Sequence, residues 1–292
     1  MNAALARIAD FYELSKPRII VLLLVTTLAA MIMAARGIPS LSLIFWTLLG
    51  GALSAASAGA LNCAYDADID AVMQRTRLRP IPQGRVTRLA AVIYALLAGA
   101  LGFVILYLLV NPLAAWLSLA GNAYYVGIYT MWLKRTTPLN IVIGGAAGSV
   151  PPLVGWAAVT HAIGGPALGL FALIFLWTPP HFWSLSLMTE LDYEKARIPM
   201  FPNVYGEDRT KREIVYYSII LVLASLALYP LHVMGALYFG AAAVLGGIFL
   251  LEAWRTWREH DAKIYARQLF RYSLVYLALM CAVMVIDRII IS

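Results

Sequence analysis

Charge and cysteine are both scarce in this sequence. Only 13% of its 292 residues are Asp, Glu, Lys or Arg, whereas soluble domains carry about 25%. A chain this poor in charge cannot keep its surface in water, which excludes a soluble enzyme and points to lipid as its solvent. The two cysteines, Cys63 and Cys281, lie far apart and outside any CxxC pair, so neither a disulfide nor a thiolate metal site is expected. The hydrophobic stretches lack strict apolar–polar alternation, which disfavours a transmembrane barrel. Acids are nearly missing from them as well. Asp287 is the one carboxylate placed within a predicted span, and beside Arg288 it reads as half of a surface ion pair. An ion-coupled transporter needs its carboxylates near the bilayer midplane.

What is present is hydrophobic length: 62% of residues are apolar and the mean hydropathy is +0.79. Spans are predicted near 18–35, 41–61, 89–110, 113–132, 138–158, 166–188, 214–231, 234–251 and 270–290, giving an all-α, nine-helix membrane protein in a single domain, 1–292. With the N-terminus in the cytoplasm, 20 of the 22 Lys and Arg residues fall in inner segments, leaving only Arg36 and Arg288 outside. One missed or invented span would scramble that bias. The same bias accounts for the net charge of +7 without nucleic acid as a partner. Met1–Ser15 contains Asp10 and Glu13, so the first apolar run reads as a true span of a bacterial inner-membrane protein rather than a cleaved leader. The long inner loops, at 62–88, 189–213 and 252–269, are where chemistry is expected.

The first of these opens with Asn62-x-x-x-Asp66-x-x-x-Asp70. Residues four apart drift only about 40° around a helix, so these three side chains share a face and Asp68 points elsewhere. An amide oxygen and two carboxylates at that spacing suit Mg²⁺, which takes one or two carboxylates together with substrate phosphates. An isolated DxxxD is more often only a solvated helix end. Here it runs into Arg75-Thr-Arg77-Leu-Arg79-Pro80-Ile-Pro82-Gln-Gly-Arg85, whose guanidinium forks match phosphate oxygens. The second long loop repeats the theme with Glu190, Asp192, Tyr193, Glu194, Lys195 and Arg197 before Pro199 and Pro202. Two acidic loops on one membrane face suit a metal–diphosphate clamped from two sides.

These residues resemble the UbiA superfamily of intramembrane prenyltransferases. Three stretches narrow the resemblance to its heme-farnesylating branch: Tyr129-Thr-Met-Trp-Leu-Lys134-Arg135-Thr-Thr-Pro138-Leu-Asn140, Pro151-Pro152-Leu-Val-Gly155-Trp156, and Trp177-Thr-Pro179-Pro180-His181-Phe182-Trp183. The similarity extends from about Lys16 to Gly206; the last three spans match only in length and hydrophobicity. It implies a central cavity capped by the inner loops, a Mg²⁺ cofactor, farnesyl diphosphate as donor and heme b as acceptor. The product would be heme O, passed to a downstream heme-modifying enzyme or an oxidase assembly factor. Asn62, Asp66, Asp70 and Asp192 are the expected metal ligands, with Glu190 and Glu194 as weaker candidates. Arg197 stands where glycine is common in this branch. Lys16, Arg18, Arg75 and Lys134 are expected at the diphosphate. Tyr65, Tyr125, Tyr129 and Trp183 are candidates for the path of the allyl cation, although packing at the membrane interface is the commoner role for each taken alone. His181 is either an axial ligand to heme iron or a histidine hydrogen-bonded within its proline-broken helix. His161, His232 and His260 read as surface residues. A UbiA-type enzyme acting on an aromatic quinone precursor, and a transporter, are the alternative functions.

Overall fold

The computed structural model describes residues 3–258 and 262–290, and among these every regular element is helical. A short helix α1, Ala3–Leu14, leads into α2, Pro17–Ala35, and α3, Leu41–Tyr65. Then come α4, Ala67–Val72, α5, Arg88–Leu109, and α6, Pro112–Ala123. The last of these continues as a π-helix, Tyr124–Leu133, closed by one α-turn, α7, Lys134–Thr136. Pro151 splits the next span into α8, Asn140–Ser149, and α9, Pro151–Thr160. Then follow α10, Gly165–Met188, the short α11, Glu190–Lys195, and α12, Phe201–Tyr205. The chain ends in α13, Glu207–Ala227, α14, Ala236–Arg258, and α15, Ala262–Ile290.

Among the described residues, seven segments are long and apolar enough to cross a bilayer: Pro17–Ala35, Leu41–Tyr65, Arg88–Leu109, Asn140–Thr160, Gly165–Met188, Ala236–Arg258 and Lys263–Ile290. Two of the expected spans are built differently. Residues 113–132 change from α to π winding part-way, and α13 opens on the charged run Glu207-Asp-Arg-Thr-Lys-Arg-Glu213. In the apolar stretches of the helices at 140–160 and 165–188, 61% of residues are buried within the protein against 22% in that of α3, so they form the middle of the bundle. Leu97, Leu101, Leu108 and Val104 of α5 stay exposed, as lipid-facing positions do. Close packing of α3 on α5 depends on Gly50 and Gly102: a Cβ on Gly102 would lie 2.8 Å from the Gly50 carbonyl oxygen.

Two expectations need correction. The inner segment 252–269 is largely helix: α14 runs to Arg258 and α15 begins at Ala262, with Arg255 bonding Glu252 one turn earlier at 2.8 Å. Asp287 is not in a surface pair. It is 1% exposed, and its carboxylate accepts from the Gly235 and Tyr238 amides at 2.6 and 3.0 Å, capping the start of α14 from α15. A buried carboxylate here satisfies helix-end donors that have no water to turn to. Arg197 takes a left-handed φ of 52°, the conformation that glycine adopts at least cost, while Arg197 and Ile198 donate back to Glu194 and Tyr193 and close α11. His161 and His232 lie in exposed turns; His260 lies outside the described residues.

Candidate active site

Asp66 sits at the junction of α3 and α4, but its amide still bonds the Asn62 carbonyl and its carbonyl receives the Asp70 amide, at 2.9 and 2.8 Å. The helical path is thus effectively continuous, and the face argument is met by burial. Asn62, Asp66 and Asp70 are 4%, 0% and 2% exposed, while the Asp68 side chain is 56% exposed.

Burying two carboxylates is costly unless each is paired and hydrogen-bonded, and cations from three segments surround them. Lys134 pairs with Asp66 Oδ2, and Lys16, at the left-handed turn between α1 and α2, donates to Asn62 Oδ1. Arg79 forks onto both oxygens of Asp70 at 2.9 and 2.7 Å. Burial alone would lower the Arg79 guanidinium, yet the adjoining Asp70 lifts it above its ordinary value. The Asn62 amide nitrogen donates to Asp66 Oδ2 at 2.8 Å and to Thr130 at 3.0 Å, which turns its oxygen toward Lys16. Outside this group Arg135 bonds Asp68 at 2.8 Å and lies 4.9 Å over the Tyr65 ring. That hydrogen bond brings the Asp68 carboxyl down to about 2.

The two acidic loops meet. Asp192 accepts from the backbone amides of Gln74 and Arg75 at 3.3 and 3.4 Å, and Arg75 reaches the Tyr193 hydroxyl at 3.5 Å. Behind them Ile69, Met73, Ile141, Tyr193, Ile198 and Met200 form one apolar cluster, with Tyr129 and Phe182 against it. Glu194 is exposed, and neither Glu190 nor Glu194 has a side-chain partner among the described residues. The π-helix delivers Tyr125, Tyr129 and Thr130 to this region. Tyr125 and Tyr129 stack at 5.4 Å, and a Cβ on Gly144 would run into the Tyr129 ring.

Other expected residues lie elsewhere. Trp183 is 1% exposed and packs on Phe201 and Tyr217 at 4.8 and 5.3 Å, in the main apolar core rather than against the carboxylates. Arg18 is exposed, with no ion pair or side-chain hydrogen bond among the described residues. Tyr65 faces Arg135 and donates to the Met131 carbonyl at 3.2 Å. His181 is buried between α10 and α15, its Nδ1 2.7 Å from Ser273 Oγ. Sequence reasoning did not single out Thr130, Arg135 or Ser273. The first two come from the span whose winding changes, and Ser273 from a stretch without any motif. In the sequence Arg79 is only one of several loop arginines, nine residues past Asp70 and just before Pro80.

Whether these residues suit a magnesium ion can be judged from their donor atoms. Asp66 Oδ1 is buried without a hydrogen bond, with Arg135 no nearer than 3.6 Å. Hard oxygens of Asn62, Asp66 and Asp70 share one face, and among the described residues no three His, Cys, Asp or Glu side chains form a complete cage. That donor set fits an ion that completes its shell with phosphate and water. Two grooves, of 620 and 280 Å³, lie on the outside of the bundle, one between α1 and α5 and the other among α3, α5 and α6; neither is lined by these carboxylates.

A helical membrane bundle with carboxylates and cations gathered at one end is the architecture of an intramembrane prenyl-transferring enzyme, and the chain belongs to the UbiA prenyltransferase family, which it matches over residues 23–275. Within that family it is similar to the protoheme IX farnesyltransferase of Trichodesmium erythraeum (strain IMS101), 50% identical over 287 residues that cover 98% of this chain and 88% of the relative. The fold is that of a structure described for digeranylgeranylglyceryl phosphate synthase, with a TM-score of 0.81 at 16% identity, covering 97% of this chain and 99% of the other. A UbiA homolog from Archaeoglobus fulgidus bound to GPP and Mg²⁺ aligns with a TM-score of 0.68 at 17% identity, over 94% of this chain and 99% of that one.

Proposed function

We propose that this protein transfers the farnesyl group of farnesyl diphosphate to a vinyl group of heme b, giving heme O and diphosphate. The observation that carries this reading is the buried face of Asn62, Asp66 and Asp70 wired to Lys16, Lys134 and Arg79, in a chain half identical to a protoheme IX farnesyltransferase. The allylic C1–O bond breaks and its electron pair leaves with the diphosphate. The vinyl carbon bonds to C1, and water adds to the resulting cation, losing a proton. The outcome is a hydroxyethylfarnesyl group in place of one vinyl.

Asn62, Asp66, Asp70 and Asp192 would hold magnesium, which neutralises the leaving diphosphate as a Lewis acid when bound. The chain's own cations supply the rest of that stabilisation. Lys16, Lys134 and Arg79 now rest on the same oxygens a metal would need, so donor binding exchanges Lys16 from the Asn62 amide oxygen, and Lys134 and Arg79 from carboxylates, to phosphate. Arg75, exposed at the meeting point of the two loops, closes over the diphosphate. The stacked Tyr125–Tyr129 pair offers aromatic faces to the allyl cation. His181 is assigned to the iron of the acceptor. The unit is a single domain of nine spans with the N-terminus and both acidic loops in the cytoplasm of a bacterial cell, the inner membrane being its site. Residues 113–133 and α13 supply the two spans beyond the seven apolar ones, and heme O passes from it to a heme-modifying enzyme or oxidase assembly factor.

Purified protein in detergent, given farnesyl diphosphate, Mg²⁺ and either heme b or a hydroxybenzoate, tests the acceptor. Farnesylated heme with matching release of pyrophosphate is expected. A farnesylated hydroxybenzoate alone would assign the enzyme to quinone synthesis, and transport without pyrophosphate release would remove the enzyme reading.

A further inference from the structure

His181 and Ser273 join the middle of the bundle to its last helix through a hydrogen-bond chain whose protons can be counted. Ser273 is fully buried, and its Oγ donates to the Phe270 carbonyl at 2.7 Å. A hydroxyl has one proton, so at His181 Nδ1, 2.7 Å away, the serine oxygen must accept. Nδ1 therefore carries the imidazole proton, and Nε2 of the neutral ring keeps its lone pair. No hydrogen bond reaches Nε2 among the described residues.

The ring is also fixed in orientation. Trp177 stacks on one face at 4.1 Å and 19°, Phe270 on the other at 4.6 Å and 22°, and Phe182 meets an edge at 5.2 Å and 90°. Trp177 is itself held, donating from Nε1 to the Ser273 carbonyl at 2.8 Å. One residue thus locks the histidine by its hydroxyl and the stacking tryptophan by its carbonyl. Here Nδ1 is committed to Ser273, while Nε2 is neither hydrogen-bonded nor fully buried among the described residues and is left as a free ligand atom. Histidines that bind metals are commonly set in this way, with the far nitrogen donating to a partner that fixes tautomer and ring plane.

We infer that Ser273 is a positioning residue for the acceptor: it holds His181 in the Nδ1–H tautomer and in a fixed plane, so that Nε2 presents its lone pair to the heme iron. The inference rests on the reading of heme b as acceptor with His181 as its ligand. It gives α15, whose first part lies within the family match that runs to residue 275 although the sequence shows no motif there, a part in recognition.

The test compares Ser273→Ala, Ser273→Thr and His181→Ala in the full-length protein in detergent, with ferric heme b as the titrant and the Soret band as the readout. Ser273→Ala is expected to weaken heme binding by about tenfold and to shift the Soret band toward that of His181→Ala. Ser273→Thr, which retains the hydroxyl, should keep both near wild type. Magnesium-dependent binding of farnesyl diphosphate should change by less than about twofold in all three, a split that loss of packing would not give. If Ser273→Ala leaves the band and the affinity of the wild type while His181→Ala alters both, the positioning role is wrong and the ligand assignment stands. An unaltered band and affinity in His181→Ala would remove the ligand assignment and this inference with it. Nitrogen-15 NMR of the histidines in unliganded wild-type protein gives an answer even if the alanine variant does not fold. A protonated Nδ1 in His181 is expected, and a protonated Nε2 would overturn the inference.

Discussion

Asp66, Asp68 and Asp70 lie within five residues of one another, yet they live in different environments. The first and last are sealed on the face they share with Asn62, and Asp68 is outside, tied to Arg135. Asp66→Ala and Asp70→Ala should each lower turnover by a hundredfold or more, roughly the loss seen when one group aimed at developing charge is removed. Asp68→Ala should keep most of it. Steady-state kinetics on the three variants checks this, and equal loss in all would contradict the assignment of faces. The Asp68–Arg135 tie also has a defined pH dependence. The folded-state value of about 2 lies below the unfolded carboxyl value of about 4. The tie therefore stabilises the fold fully above about pH 4 and is lost as pH falls toward 2. The difference in thermal midpoint between wild type and Asp68→Asn should be present at pH 7, and vanish only as pH falls below about 2. Because Asp68 is mostly exposed, the effect should be small.

At the scale of elements, the unusual piece is the span that begins as α6 and ends as a π-helix over Tyr124–Leu133. Long π-winding is rare and is found mostly at functional sites. It rotates the later side chains relative to a regular helix, placing Thr130 on Asn62 and stacking Tyr129 on Tyr125. Gly144 leaves the space that Tyr129 fills, so Gly144→Ala should displace that ring. Turnover is expected to fall by about tenfold or more while magnesium-dependent donor affinity holds, because Lys16, Lys134 and Arg79 do not move; unchanged turnover would exclude Tyr129 from the cation path. This element also shows how far the sequence could be read. The Asn62–Asp66–Asp70 face was legible because an α-helix has a fixed period and burial followed it. The meeting of Asp192 with the Arg75 loop was anticipated only as two clusters on one side. The run Tyr124–Leu133 is apolar on nearly every side, so it offers no period from which to tell α from π winding, which hid Thr130. Trp183 was misplaced for a related reason: in a helix that is apolar on every side, sequence does not say which side faces a substrate and which the core.

The whole molecule is organised by its charge. Lys and Arg crowd one set of connections, and the carboxylates gather beneath them. In the nine-span arrangement Gln83 belongs to the cytoplasmic side and Ala162 to the opposite one, and both are exposed, while the native cysteines are buried. Gln83→Cys should react with a membrane-impermeant maleimide only in inverted vesicles, and Ala162→Cys only in right-side-out cells; the reverse pattern, or labelling of both from one side, would contradict the topology. In that arrangement a charged diphosphate would approach from water and a lipophilic acceptor through the bilayer. The most direct measurement of the central claim, that this carboxylate face farnesylates heme, is chromatography with mass spectrometry of hemes extracted from membranes of cells lacking the protein, complemented with wild type or with Asp66→Ala. The account predicts a heme O peak that appears with the wild-type chain and is missing with the variant at equal protein level. Heme O in the uncomplemented cells, or restored in full by Asp66→Ala, would contradict it.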